Sequence, residues 1–109
     1  MAYSEDIATH IRQALAHLPD VEEKKMFGGL AFMVNNKMCM TANANRMMCR
    51  IDPALHEEAL QREGCTTVVM KGREYRGYVY IHADSLKTPA DFDYWVSLAV
   101  DFNEKIKDA

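Results

Sequence analysis

Residues 30–51 read LAFMV-NN-KMCMTA-NAN-RMMCRI, and this stretch decides the fold. Its three apolar segments are each long enough for one strand, and short asparagine-rich breaks separate them. Asparagine tolerates positive φ better than most residues, so such breaks favour tight turns. The stretch therefore predicts a meander of three antiparallel strands, at residues 30–34, 37–42 and 46–51.

The residues before this meander predict a helix and a bent approach to the first strand. Ser4 is a suitable N-cap, and an apolar stripe at helical spacing continues from there to Leu18. Residues 22–25, EEKK, form a solvated charge run. Because Gly28 and Gly29 directly precede the strand, we expect the strand to bend or bulge at these glycines.

The residues after the meander predict a short helix and two more strands. Asp52 and Pro53 are suited to the cap and the first position of that helix, and Gly64 lies past its end. Apolar and β-branched residues then predict strands at 66–70 and 77–82. Residues 71–76 are their polar connection.

The last part of the chain predicts a long helix. Thr88 caps it, Pro89 takes its first position, and Trp95 lies on its apolar stripe. All the elements together predict a single α+β domain over residues 1–109. We expect two layers, with an antiparallel β-sheet of about five or six strands and the N-terminal, middle and C-terminal helices packed on it.

The composition is that of an ordinary globular domain. Of the 109 residues, 49% are hydrophobic and 27% are charged, and no apolar run is long enough to span a bilayer. The net charge of −3 does not match the basic footprint of most nucleic-acid-binding domains. Three cysteines without framework spacing, and an N-terminus without a secretory signal, predict a cytoplasmic protein with free thiols and no membrane association.

The hairpin around Ala44 predicts a sheet with two apolar faces. With Ala44 at its centre, Cys39 pairs with Cys49 and Thr41 with Met47, on the face that the helices cover. The other face then carries the pairs Met38–Arg50 and Met40–Met48. An apolar sheet face that no helix covers favours an interface. We therefore expect a homodimer, the commonest symmetric assembly, with these methionines at its contact face: Met38, Met40 and Met48.

A second candidate surface is the hairpin from Lys71 to Tyr80. Basic and aromatic residues alternate there, a composition that can stack single-stranded bases. It is also the composition of a solvated hairpin, which the net negative charge favours. Nucleic acid is thus a possible partner but not the favoured one. The residues of this patch are Lys71, Arg73, Tyr75, Arg76 and Tyr78.

The sequence predicts no catalytic, metal-binding or cofactor-binding residues. No Cys or His pair has the close spacing of a metal site. The four histidines are expected at the surface, and Cys39 and Cys49 are expected to be small buried side chains. Cys65 is the thiol expected to be most exposed. A thiol-based sensor or small enzyme is accordingly the weakest of the functional hypotheses.

Several of these residues resemble one known family. Residues 26–35 (MFGGLAFMVN), then Lys37-Met38, residues 76–80 (RGYVY) and a terminal helix that holds Trp95 resemble the TfoX/Sxy N-terminal domain family. The resemblance extends from about Val21 to Phe102, and the MFGG stretch is its most specific part.

The resemblance implies a secretion-chaperone-like, two-layer α+β fold and a regulatory role. Full-length members regulate natural competence alongside a transcription activator and carry a second, helical domain. This chain stops where the first domain stops, so we expect a stand-alone member. The family implies no catalytic residues. The leading hypothesis is therefore a non-enzymatic interaction or regulatory domain that acts as a homodimer, with a protein partner as a further candidate.

Overall fold

A computed structural model describes residues 4–26 and 28–107. Six strands form one antiparallel sheet in the order β1-β2-β3-β4-β6-β5, and three helices complete the two layers. The predicted two-layer α+β class is confirmed. The helices are α1 (Glu5–Ala14), α2 (His56–Ala59) and α3 (Pro89–Ile106). The strands are β1 (Val21–Met26), β2 (Gly29–Val34), β3 (Lys37–Ala42), β4 (Arg46–Arg50), β5 (Cys65–Met70) and β6 (Arg73–His82).

The charge run at residues 22–25 is the middle of strand β1. It is solvated, as predicted, but it pairs along its whole length with β2. Gly28 has a φ of 71° and lies in the turn between these strands, and Gly29 is the first residue of β2, so the expected bend within one strand is a turn between two. Phe27, which belongs to the MFGG stretch of the family resemblance, lies outside the described residues.

The β2–β3 turn has the predicted form. Asn35 and Asn36 have φ values of 54° and 66°, as a two-residue turn of this kind requires. Further along, Phe32 pairs with Met40 but Met33 pairs with Met38. Cys39 is therefore an extra residue on β3, a β-bulge that changes which face the following side chains occupy.

The register of the β3–β4 hairpin differs from the predicted one by one residue. Met40 pairs with Cys49, and Thr41 pairs with Met48. The predicted pairs Cys39–Cys49 and Met40–Met48 are thus wrong. The prediction centred the turn on Ala44, whereas the Asn43 amide donates to the Arg46 carbonyl at 2.9 Å, so the turn consists of two residues, Ala44 and Asn45, and the register moves by one.

Strand β6 is longer than predicted. It begins at Arg73, so the connection to β5 is only the two-residue turn Lys71-Gly72, with φ values of 52° and 75°. Gly77 interrupts β6 with a φ of 90°, and a Cβ there would lie 3.0 Å from the carbonyl oxygen of Ile51. This residue therefore has to be glycine if the strand is to pass so close to the chain that follows β4.

The helices begin at the predicted caps. The Ser4 hydroxyl accepts the Ile7 amide at 3.2 Å, although α1 ends at Ala14, before the predicted Leu18. The middle helix is a 3-10 turn, Pro53–Leu55, followed by the four residues of α2. Thr88 and Asp91 cap α3 reciprocally, each side chain accepting the other residue's amide.

The sheet separates two hydrophobic clusters. The helix-side core joins residues of all three helices to one face of the strands, with Ile11, Phe32 and Trp95 among its members. The second cluster, here called the outer cluster, consists of strand residues on the opposite face, here called the outer face. Its buried members are Ala31, Met38, Met48 and Val68, and those packed on them are Met26, Met33, Met70, Tyr75, Tyr78 and Tyr80.

Candidate interaction surface

The outer face contains two of the three methionines predicted there. Met38 and Met48 belong to the outer cluster, but they are only 8% and 0% exposed because neighbouring strand side chains cover them. Met40 lies in the helix-side core and is fully buried, so its predicted place on the outer face is wrong. The bulge at Cys39 turns Met40 to the helix side.

Three tyrosines of β6 provide the accessible part of the outer cluster. Tyr75, Tyr78 and Tyr80 are half-buried and pack on the buried members. The rings of Tyr75 and Tyr78 meet edge to face, with centroids 6.0 Å apart. The two surfaces predicted separately from the sequence, methionine and tyrosine, therefore form one surface.

Two arginines of β4 border these tyrosines. The Arg46 guanidinium carbon lies 3.5 Å from the centroid of the Tyr80 ring, a close cation–π contact. Arg50 lies 5.5 Å from the Tyr78 centroid and 5.7 Å from that of Phe102 on α3. Sequence reasoning placed Arg50 on this face but missed Arg46. The alternation Arg46–Met48–Arg50 along β4 was the signal that could have identified it.

The predicted basic patch is divided between the two faces. Arg73 pairs directly with Met70 of the outer cluster, so its side chain belongs to the outer face with Tyr75 and Tyr78. Lys71 lies in the turn. Arg76 projects to the helix side, where its guanidinium contacts the Glu57 carboxylate of α2 at 3.1 Å. Arg76 therefore does not contribute to the surface that the tyrosines form.

The charge of the outer face is opposite in sign to that of the whole chain. Arg46, Arg50 and Arg73 lie on this face, whereas the chain carries a net charge of −3. Among the strand residues described on this face, the acid is Glu22, which is 4.0 Å from Lys24. The arrangement favours an anionic partner.

The thiols lie in the helix-side core and do not form an exposed site. All three are free and buried, and Cys65, expected to be the most exposed, is only 8% exposed. Burial raises the pKa of Cys39 to about 12 and that of Cys65 to about 11, and it raises the pKa of Cys49 well above its ordinary value. Few of these thiols are ionised near neutral pH, so their nucleophilicity is low.

His56 is buried, contrary to the prediction that all histidines lie at the surface. Its Nδ1 accepts the Gly77 amide at 2.9 Å, and its Nε2 lies 2.9 Å from the Thr67 hydroxyl. These two hydrogen bonds connect His56, the first residue of α2, to β5 and β6. Among the described residues, no group of three His, Cys, Asp or Glu side chains could hold a metal ion.

A family model for the TfoX N-terminal domain matches residues 13–103 of the chain. The chain belongs to the TfoX N-terminal domain family. The match covers every strand, α2 and α3 almost to its end, so the outer face is entirely within the TfoX domain. No curated protein and no solved structure matches the chain. In the described part of this TfoX domain, no helix has the length and apolar character needed to cross a membrane.

Proposed function

We propose that this TfoX domain is a non-enzymatic regulatory module of the cytoplasm that holds a protein partner on its outer face. The observation that carries the proposal is the contact of Arg46 with Tyr80 beside Tyr78, because it combines positive charge and aromatic surface on the face opposite the helix-side core. Tyrosine and arginine are enriched among residues that dominate binding energy at interfaces. Membership of the family supports a regulatory role.

The surroundings of the reactive side chains support the non-enzymatic part of the proposal. The three thiols are buried in the core with raised pKa values. The ring nitrogens of His56 are both engaged by groups of the domain itself. A nucleophile or general base needs access to a substrate atom, and these groups do not have it.

The test compares two variants that remove the same charge from opposite faces. Arg46→Ser removes the cation from the outer face, and Arg76→Ser removes one on the helix side. Proteins captured from cell extract by immobilised wild-type domain should be retained by Arg76→Ser and lost from Arg46→Ser. A capture profile that is identical for both variants would contradict the proposal.

Single-stranded nucleic acid is a second candidate partner for the same face. The specific observation in its favour is that Arg46 and three tyrosines share one sheet surface, since base stacking on aromatic and arginine side chains tolerates any sequence. Anisotropy of a labelled single-stranded oligonucleotide should show binding that weakens as salt rises, and weaker binding for Arg46→Ser than for Arg76→Ser. Absence of binding at low salt would eliminate this candidate.

The homodimer remains part of the proposal, with an interface other than the three methionines. Met40 is in the helix-side core, and Met38 and Met48 present almost no surface. Size-exclusion chromatography with light scattering at micromolar concentration should give the mass of two chains. A monomer under those conditions would contradict the dimer and leave the partner-binding face untouched.

A further inference from the structure

The two edges of the sheet have opposite chemical character. The edge strand β1 has the sequence VEEKKM, and its four central residues are charged and exposed. The other edge strand, β5, has the sequence CTTVVM and carries no charge. Charged side chains, lysine above all, discourage a foreign strand from pairing with an edge. Strand β1 has this protection and β5 lacks it.

Strand β5 also exposes an apolar side chain. Val69 is 53% exposed, and it is the one large hydrophobic residue classed as exposed in the described part of the chain. Its direct partner on β6 is Glu74, and its side chain lies on the face opposite to Val68. An isolated exposed valine is unremarkable, but here it stands on an uncharged strand at the end of a sheet.

The hydrogen-bond pattern shows which backbone groups of β5 point outward. The His82 amide donates to the Gly64 carbonyl at 2.9 Å, so Gly64 and, two residues on, Thr66 bond inward to β6. From the other end, the two-residue turn at Lys71 makes Met70 and then Val68 bond inward. The β5–β6 register shifts between Thr67 and Val68, but the extra residues, 76–78, lie on β6, so the alternation along β5 is continuous. The N–H and C=O groups of Thr67 and Val69 therefore point away from the sheet.

We propose that β5 pairs antiparallel with β5 of a second copy of this chain. A twofold axis at Val68 sets Thr67 of each copy opposite Val69 of the other, which gives four backbone hydrogen bonds. Each exposed Val69 is then covered by a Thr67 of the partner. The two six-stranded sheets become one continuous sheet, with both outer faces on the same side.

A second copy fits this edge because the strand is complementary to itself. The paired segments contain threonine, valine and methionine, so no like charges meet along the strand. In the same register, Lys71 of each copy lies opposite Cys65 of the other, so no like charges meet at the ends of the paired segments either. This inference rests on the homodimer of the proposed function and names the interface that forms it.

The test places a charge at the proposed contact and, as a control, one strand further in. Val69→Lys gives β5 the protection that β1 already has. Its control is Glu74→Lys, because Glu74 is exposed and lies directly opposite Val69 on the inner neighbour β6. By analytical ultracentrifugation, Val69→Lys should raise the dimer dissociation constant at least about tenfold, and Glu74→Lys should change it little. Circular dichroism confirms that both variants are folded.

Amide hydrogen exchange gives an independent reading of the same contact. The amides of Thr67 and Val69 should exchange slowly in the wild-type dimer and quickly in Val69→Lys, whereas the inward-bonded amide of Val68 should stay slow in both. A wild-type monomer would overturn both the homodimer and the edge contact. A dimer that Val69→Lys does not weaken, with Thr67 and Val69 exchanging quickly, would overturn the edge contact alone.

Discussion

At the scale of single residues, His56 shows how a polar side chain is accommodated in this core. Because its Nδ1 accepts the Gly77 amide, the ring proton lies on Nε2, which donates to the Thr67 hydroxyl. Both contacts measure 2.9 Å. The ring thus pairs the buried Gly77 amide on β6 and the half-buried Thr67 hydroxyl on β5, and without it the amide would be buried without a partner.

Replacing this ring should destabilise the domain substantially. His56→Leu keeps much of the volume but leaves the buried Gly77 amide unpaired and removes the partner of the half-buried Thr67 hydroxyl, so we expect a loss of about 1–3 kcal/mol in the free energy of unfolding. Urea denaturation measures it. His17→Leu, at an exposed position, is the control and should change stability by less than about 0.5 kcal/mol. A similarly small loss for His56→Leu would mean that the two contacts contribute little.

The sequence did not distinguish His56 from the three other histidines, for a physical reason. Its partners are 11 and 21 residues away along the chain, and no local pattern reports a hydrogen bond over that separation. Local sequence did not reveal the position of Met40 either. This residue lies on the helix side and not on the predicted outer face, because β3 has a bulge one residue earlier. Residue-level placement failed where the geometry depends on distant or irregular pairing.

At the scale of elements, one asparagine attaches α3 to the sheet. The Asn103 amide nitrogen donates to the Val34 carbonyl at 2.9 Å, and its oxygen accepts from the side chain of Asn35, also at 2.9 Å. The helix therefore holds the β2–β3 turn, in which Asn35 already adopts a positive φ. The Asn103 side chain and the β2–β3 turn together fix the position of the C-terminal part of α3.

Removing this side chain should loosen the contact between helix and turn. Asn103→Ala leaves the buried Val34 carbonyl without its donor, and we expect a loss of about 1–3 kcal/mol. Thermal unfolding measures the loss. The exposed Asp101→Ala on the same helix is the control and should behave like the wild type. Equal stabilities for the two variants would show that α3 is held by apolar packing alone.

Elements with strong local signals were predicted well, and polar strands were not. The asparagine turn, the Thr88 cap and the apolar strands β2 and β3 are encoded locally by turn residues, a capping box and apolar runs. Strand β1 was missed because an exposed edge strand buries little and shows no apolar alternation. The first four residues of β6, at positions 73–76, were missed because they are largely exposed as well, although β6 is an inner strand.

At the scale of the whole molecule, three buried thiols link stability to alkaline pH. Burial raises the pKa of Cys39 from 9.0 to about 12 and that of Cys65 from 9.0 to about 11. The folded state keeps these thiols protonated, whereas the unfolded chain ionises them near their ordinary pKa. Their contribution is therefore complete below about pH 9 and is lost progressively as pH rises through the folded-state values.

The domain should consequently unfold more readily in mild alkali. Each thiol contributes a decrease of up to about 1.4 kcal/mol per pH unit above its ordinary pKa. Urea denaturation at about pH 8 and about pH 10 measures the difference, and a variant with alanine at all three cysteines should show a much smaller one. If the wild type and the triple alanine variant show the same decrease in the free energy of unfolding, the thiols are not its cause. Tyrosine or lysine ionisation then accounts for the decrease.

Fold class and family could be inferred from the chain alone. The residues that make up the outer face could be inferred only in part. The tyrosines of β6 and the methionines of β3 and β4 were recognised as two separate candidates, because no sequence pattern reveals that β4 lies beside β6. That adjacency brings Arg46 onto Tyr80. The surface is thus a product of the strand order, which local sequence does not encode.

The contrast between the two sheet edges also limits how large an assembly can grow. A sheet whose edges both accept strands can add copies without end and elongate into a fibril. Here the charged side chains of β1 discourage pairing at one edge of the sheet. Once β5 of each copy is paired in the dimer, neither copy has a second edge that favours pairing. Assembly therefore stops at two copies, because the glutamates and lysines of β1 prevent further chains from adding to the sheet and keep the dimer in solution.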